Sequence, residues 1–160
     1  MNLTEANAAG ASAFADIAEH SSWVAEVAFK HAPFKDREDM IQRFAAAVMA
    51  ANRPAQLKLL NAHPDLATRA KLTEDSTKEQ MGVGLDSLSS AEFAHFTKLN
   101  EAYRAKNGFP FIFAVKGATK DQILAGFESR IENNTAKEFE TALEQVSRII
   151  RFRLEERVAP

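Results

Sequence analysis

The sequence predicts an all-α fold, a single domain over residues 1–160 that forms a bundle of about seven to nine helices. Three observations predict it. Apolar residues recur at steps of three and four along most of the chain, residues that start helices precede these segments, and strand patterns are almost absent. A chain of this length, with 46% hydrophobic and 26% charged residues, can bury a full core without disulfides.

The first half of the chain contains several predicted helices. Apolar residues between 11 and 31 predict two short helices or one broken helix, and Asp36 marks the start of the next. Pro54 suits the first turn of the helix that follows. This helix must end before Pro64, because proline disfavours α geometry in the residue that precedes it.

The second half carries four apparent capping boxes, in which Ser or Thr is followed three residues later by Glu or Gln. They are Ser76–Glu79, Ser89–Glu92, Thr119–Gln122 and Thr135–Glu138. The last helix has a wide apolar stripe. Its members are Phe139, Ala142, Leu143, Val146, Ile149, Ile150 and Leu154.

The segment 109–115, "FPFIFAV", departs from this helical pattern. It is a short apolar run after Asn107-Gly108, and its pattern is compatible with a strand, an extended loop or the start of a buried helix. An extended run in an all-α protein has backbone N–H and C=O groups that need partners, and a bound polar ligand can supply them.

Composition excludes several classes of function. The net charge of −2 and the pI of about 6.1 provide no basic field for nucleic acid or acidic membranes. The absence of cysteine excludes disulfides, thiolate nucleophiles and cysteine-ligated metals. No signal-peptide pattern, membrane-spanning stretch or peroxisomal tripeptide is apparent, so we expect a cytoplasmic protein.

Among the residues able to do chemistry, His63, Glu79 and Arg130 each have a structural interpretation as well as a functional one. His63 lies before Pro64 at a helix end, where an imidazole can satisfy carbonyl groups. Glu79 fits a capping box, and Arg130 fits the negative end of a helix dipole. No two histidines have the i, i+4 spacing of a helical zinc site, so we expect no metal centre. Residue types alone leave these alternatives open.

Five stretches in this order resemble the 2-oxo-4-hydroxy-4-carboxy-5-ureidoimidazoline (OHCU) decarboxylase family of uric acid degradation. The resemblance covers nearly the whole chain, and it is the combination that is specific rather than any one motif. The stretches are "SSWVAEVAFKHAPF" (21–34), "HPDLA" (63–67), "STKEQ" with "GL" (76–80, 84–85), "LNEAYRAKNGFPFIFAV" (99–115) and "RIEN" with "EFETALEQVSRIIRFRL" (130–154).

The resemblance implies a cofactor-independent carboxy-lyase that converts OHCU to (S)-allantoin in purine catabolism, frequently as a homodimer. It also implies functional coupling to urate oxidase and 5-hydroxyisourate hydrolase. The catalytic residues it implies are His63, as the proton donor, and Glu79, which assists it. The substrate-binding residues it implies are Pro64, Ser76, Thr77, Lys78, Glu79, Gln80, Phe111, Ile112, Phe113, Ala114, Val115 and Arg130.

Parts of the sequence also fit two other classes of protein and one other substrate. His-Pro-Asp is also the hallmark of J-domain co-chaperones, but the helix before it offers only Lys58 and no tyrosine, which disfavours that class. "LATR" (66–69) also lacks the lysine-rich continuation of that class. A non-catalytic helical ligand-binding or interaction domain is the main alternative, and a related ureido-imidazoline is an alternative substrate.

Overall fold

The computed structural model describes residues 1–68 and 72–160, and Arg69, in the "LATR" stretch, lies outside them. Eight α-helices and one 3₁₀ helix form the described part, and no strand occurs in it. The α-helices are α1 (Leu3–Ala9), α2 (Trp23–Phe29), α3 (Arg37–Ala50), α4 (Arg53–Ala62), α5 (Glu74–Gly82), α6 (Ser90–Asn107), α7 (Lys120–Arg130) and α8 (Thr135–Arg157). The all-α prediction is confirmed.

The helices divide into two compact units. Unit 1 comprises Met1–Ala62 and Val146–Pro160, and unit 2 comprises His63–Gln145. Helix α8 therefore contributes its first half to unit 2 and its second half to unit 1. Every member of its predicted apolar stripe is buried.

Unit 1 contains an ion pair at its core. Arg153 is 4% exposed and Glu19 is 1% exposed, and Nη2 of Arg153 donates to Oε1 of Glu19 at 3.1 Å. Nη1 of Arg153 donates to the carbonyl of Ile17. Burial removes water from both charges, so each charge depends on the other for its stability.

Helix boundaries follow most of the predicted signals. Asp36 accepts a hydrogen bond from the N–H of Asp39 at the start of α3, and α4 begins one residue before Pro54 and ends at Ala62. The capping boxes at Ser89–Glu92 and Thr119–Gln122 are both present.

The other two predicted capping boxes are wrong. Helix α5 begins earlier because Thr73 is its N-cap and accepts from the N–H of Ser76, which places Ser76 and Glu79 inside the helix. At α8 the side chain of Asn134 accepts from the N–H of Lys137. In both cases a good cap residue stands just upstream of the predicted one, and the helix starts there.

Residues 110–115 are neither helix nor strand in the structure. Gly108 ends α6 in the left-handed region, with φ of +79°, and the chain then leaves the helix. The sequence was compatible with a strand, an extended loop or the start of a buried helix, and the structure has a loop here.

Arg153→Leu should destabilise the protein by about 3–5 kcal/mol, because it leaves Glu19 buried without its counter-charge. Urea denaturation followed by circular dichroism measures this. Glu38→Gln is the matched control, since it removes the exposed partner of Arg151 and should change the midpoint little. Equal losses in the two variants would contradict a special role for the buried pair.

Candidate active site

His63 follows the last residue of α4 and is the only buried histidine of the four. It is 6% exposed, whereas His20, His31 and His95 are exposed. His95 contacts Glu128 on the surface, with 3.1 Å between Nε2 and Oε1. Burial shields the side chain of His63 from solvent, and Pro64 restricts the backbone next to it.

Side chains from α5 and α6 fix the turn that follows His63. Gln80 accepts from the N–H of Ala67 at 2.9 Å and donates to the carbonyl of Asp65 at 3.4 Å. Asn100 donates to the carbonyl of Leu66 at 2.8 Å, and Arg104 pairs with the carboxylate of Asp65 at 2.8 Å. The backbone from 65 to 67 is thereby held by side chains distant in sequence.

The residues of "STKEQ" occupy different faces of α5. Ser76 and Gln80 are buried and Glu79 is half-buried, and their i, i+3 and i+4 spacing places them on one face. Because Gln80 reaches residues 65–67, this face is turned toward the turn after His63. Lys78 is exposed, and the hydroxyl of Thr77 donates to the carbonyl of Thr73 within the helix.

The predicted binding segment 111–115 is largely buried, and some of its backbone groups are paired by other parts of unit 2. Phe111, Ile112, Ala114 and Val115 are buried, and Phe113 is half-buried. The N–H of Ala114 donates to Oε1 of Gln145 at 2.9 Å, so this N–H group is already satisfied. The ring of Phe111 stacks on that of Phe127 with 3.9 Å between centroids.

Arg130, the last residue of α7, is held beside this segment. Its Nη1 donates to the carbonyl of Ile112 at 2.6 Å, and its guanidinium carbon lies 4.3 Å from the centre of the Phe111 ring. Its Nε donates to Oε1 of Glu138 at 2.9 Å. Its Nη2 is buried and has no hydrogen-bond partner among residues 1–68 and 72–160.

Glu138 and Tyr103 complete this group of contacts. Glu138 is 0% exposed and accepts from Tyr103 Oη at 2.6 Å and from Asn133 Nδ2 at 3.0 Å, besides Arg130. Tyr103 is fully buried, and burial followed by the hydrogen bond to Glu138 raises the pKa of its hydroxyl. The hydroxyl therefore remains a donor.

Helix α6 joins the His63 turn to the Arg130 group. Asn100 and Arg104 bond to residues 65 and 66, and Tyr103 lies between them in the sequence and bonds to Glu138. These three positions span about 6 Å of helix axis. The predicted residues around His63 and around Arg130 are therefore attached to the same turn of one helix.

Tyr103, Asn100 and Gln145 have no role in the sequence-based predictions, and Glu138 has only a capping role there. Tyr103 is the only tyrosine of the chain and lies in the "LNEAYRAKNGFPFIFAV" stretch, which is part of the family resemblance. Its place in that stretch could have marked it as a candidate site residue. Glu138 was assigned to a capping box, and this obscured its buried position. No group of three or more His, Asp or Glu side chains able to hold a metal occurs in the described part of the chain.

Comparison with known proteins gives a consistent result. The sequence model of the OHCU decarboxylase family matches residues 4–155. A 2-oxo-4-hydroxy-4-carboxy-5-ureidoimidazoline decarboxylase of Haloferax volcanii is 45% identical over 145 residues, which are 91% of this chain and 86% of that protein. The uric acid degradation bifunctional protein PucL of Bacillus subtilis is 43% identical over 138 residues, which are 86% of this chain and 28% of that protein.

A solved structure shows the same relationship. The crystal structure of (S)-allantoin synthase superposes with a TM-score of 0.80 at 33% identity, covering 99% of this chain and 54% of that chain. The fold, the sequence identity over nearly the whole chain and the family model all relate this chain to the same family. The chain belongs to the OHCU decarboxylase family.

Proposed function

We propose that this protein decarboxylates OHCU to (S)-allantoin without a cofactor, in the breakdown of uric acid. The observation that carries the proposal is the family match over residues 4–155. The buried His63 and the unpartnered Nη2 of Arg130 support it, because one offers a proton donor and the other a fixed hydrogen-bond donor.

The reaction needs a proton delivered to one face of the substrate. As the bond to the carboxylate breaks, CO2 leaves and the electron pair moves into the neighbouring C=N of the imidazoline ring. The imidazolium of His63 then gives its proton to the former C=N carbon, which carries the ureido group, and this fixes the S configuration. The hydroxyl on the neighbouring carbon becomes the ring carbonyl as its proton passes to the ring nitrogen, and the imidazole regains a proton from solvent. Histidine suits this role because it changes charge near neutral pH.

Glu79 and Arg130 provide the remaining chemistry in this proposal. The carboxylate of Glu79, on the face of α5 turned toward the His63 turn, favours the protonated imidazole and orients it. Arg130 and the backbone N–H groups of the segment Phe111 to Val115 bind substrate oxygens, except the N–H of Ala114, which is already bonded to Gln145. We assign Pro64, Ser76 and Thr77 to further substrate contacts in this proposal, and the exposed Lys78 to a contribution of positive charge.

Gln80 acts through the backbone in this proposal. Its amide oxygen and nitrogen both bond to the turn at residues 65–67. It therefore positions His63 rather than reacting with the substrate.

The setting of the reaction is part of the same proposal. We infer a cytoplasmic homodimer that receives OHCU from 5-hydroxyisourate hydrolase, which in turn acts after urate oxidase. The place in uric acid breakdown is supported by the Bacillus subtilis relative, which is 43% identical over 138 residues and is named a uric acid degradation bifunctional protein. No described helix has both the length and the apolar character needed to cross a membrane.

The direct test generates OHCU in situ from urate with urate oxidase and 5-hydroxyisourate hydrolase and follows circular dichroism. We expect rapid formation of optically active (S)-allantoin with the wild-type protein. His63→Asn should slow it by about 10²–10⁴-fold, the usual contribution of a positioned acid, while the far-UV spectrum stays unchanged. His95→Asn, at an exposed histidine, is the matched control and should keep the wild-type rate.

Two outcomes would count against the proposal. Slow racemic decay that is unaffected by the wild-type protein would refute the decarboxylase activity. A His63→Asn protein with the wild-type rate would instead refute only the assignment of the acid.

Glu79→Gln should lower kcat by at least about tenfold, because the neutral amide no longer favours the imidazolium. Loss of a helix cap does not complicate this result, since Thr73 caps α5 and Glu79 lies in its interior. Glu74→Gln, at an exposed position in the first turn of the same helix, is the control. Equal kcat in the wild-type and Glu79→Gln proteins would exclude the assisting role.

A further inference from the structure

Glu138 is a fully buried carboxylate that no proposed step uses. Its two oxygens accept three hydrogen bonds, from Tyr103 Oη, Arg130 Nε and Asn133 Nδ2, at 2.6, 2.9 and 3.0 Å. A buried carboxylate is costly unless such partners surround it. Three donors converging on one side chain indicate that its position is closely fixed.

The fixed position of Glu138 determines the orientation of the Arg130 guanidinium. A guanidinium is planar and rigid, so hydrogen bonds at two of its nitrogens determine where the third one points. Glu138 holds Nε, the Ile112 carbonyl holds Nη1, and the Phe111 ring covers one face. The buried Nη2 remains, with its donors unused by the described residues.

We propose that Glu138, itself held by Tyr103, is a positioning residue that makes Nη2 the substrate-binding edge of Arg130 and selects an uncharged substrate oxygen there. This inference rests on the proposed function. Glu138 neutralises the charge of Arg130, so Nη2 offers a directional hydrogen bond rather than a net positive charge.

The chemistry of the reaction indicates which oxygen Nη2 binds. A contact to the departing carboxylate would be lost as CO2 forms, and so would oppose the reaction. A ring or ureido carbonyl oxygen remains in the product. Binding it stabilises substrate and transition state alike, which lowers KM with little effect on kcat.

The test compares steady-state kinetics of Glu138→Gln with the wild-type protein, using OHCU generated in situ. Replacing the carboxylate by an amide loosens the guanidinium, and we expect KM to rise by about tenfold or more, the loss typical of a hydrogen bond to a charged group. The inhibition constant for (S)-allantoin should rise by a similar factor, while kcat changes by less than about threefold.

Phe139→Leu is the control for general destabilisation. Phe139 is buried next to Glu138 in sequence, and its ring packs edge-on against Phe109. We expect a lower melting temperature and an unchanged KM. A rise of KM equal to that of Glu138→Gln would overturn the proposal, as would a KM within about twofold of wild type in Glu138→Gln.

Tyr103→Phe decides the question if Glu138→Gln does not fold. It keeps the ring that packs against Phe111 and Phe127 and removes only the donor to Glu138. A KM raised by about threefold or more supports the positioning role, and an unchanged KM overturns it. An inactive wild-type protein refutes the proposed function and this role with it, whereas an active wild type with unchanged KM in the folded variants refutes this role alone.

Discussion

The buried ion pair between Arg130 and Glu138 constrains the candidate site more than any other contact. Neither charge could be buried without the other, because the loss of hydration would outweigh any packing gained. Their pairing brings the end of α7, the start of α8 and Tyr103 of α6 to one point, and the bond from Arg130 to the Ile112 carbonyl adds the irregular segment. The conformation of residues 110–115 thus depends on side chains outside the segment.

Helix α6 connects this ion pair with the turn that follows His63. Asn100 and Arg104 hold the turn at residues 65 and 66, and Tyr103, one helical turn away at most, holds Glu138. Displacement of this helix would therefore disturb both the proton donor and the guanidinium that the proposed mechanism needs. Gln80 adds a second attachment of the His63 turn through α5, so His63 lies at the start of a loop with a well-fixed backbone.

The sequence was sufficient to predict the features of the fold that depend on local patterns. The helical class, the stripe on α8 and the caps at Asp36, Ser89 and Thr119 follow from periodicity and from side chains that bond within three residues. Local patterns failed where two candidate caps stood close together, as at Thr73 and Asn134. They gave no sign of the bonds of Glu138 to Tyr103 and Arg130, since those partners are 35 and 8 residues away. The family resemblance supplied the proposed roles of His63, Glu79 and Arg130. It did not identify the side chains that hold these residues in place.

In the proposed mechanism, His63 and the Nη2 edge of Arg130 face one bound molecule in unit 2. A crystal structure of this protein with (S)-allantoin tests it most directly. We expect a ring or ureido oxygen at about 3 Å from Nη2 of Arg130, with Nε still bonded to Glu138 and the imidazole of His63 directed at the ligand. The proposed mechanism would be wrong if (S)-allantoin bound away from His63, or if Nη2 of Arg130 made no contact with it.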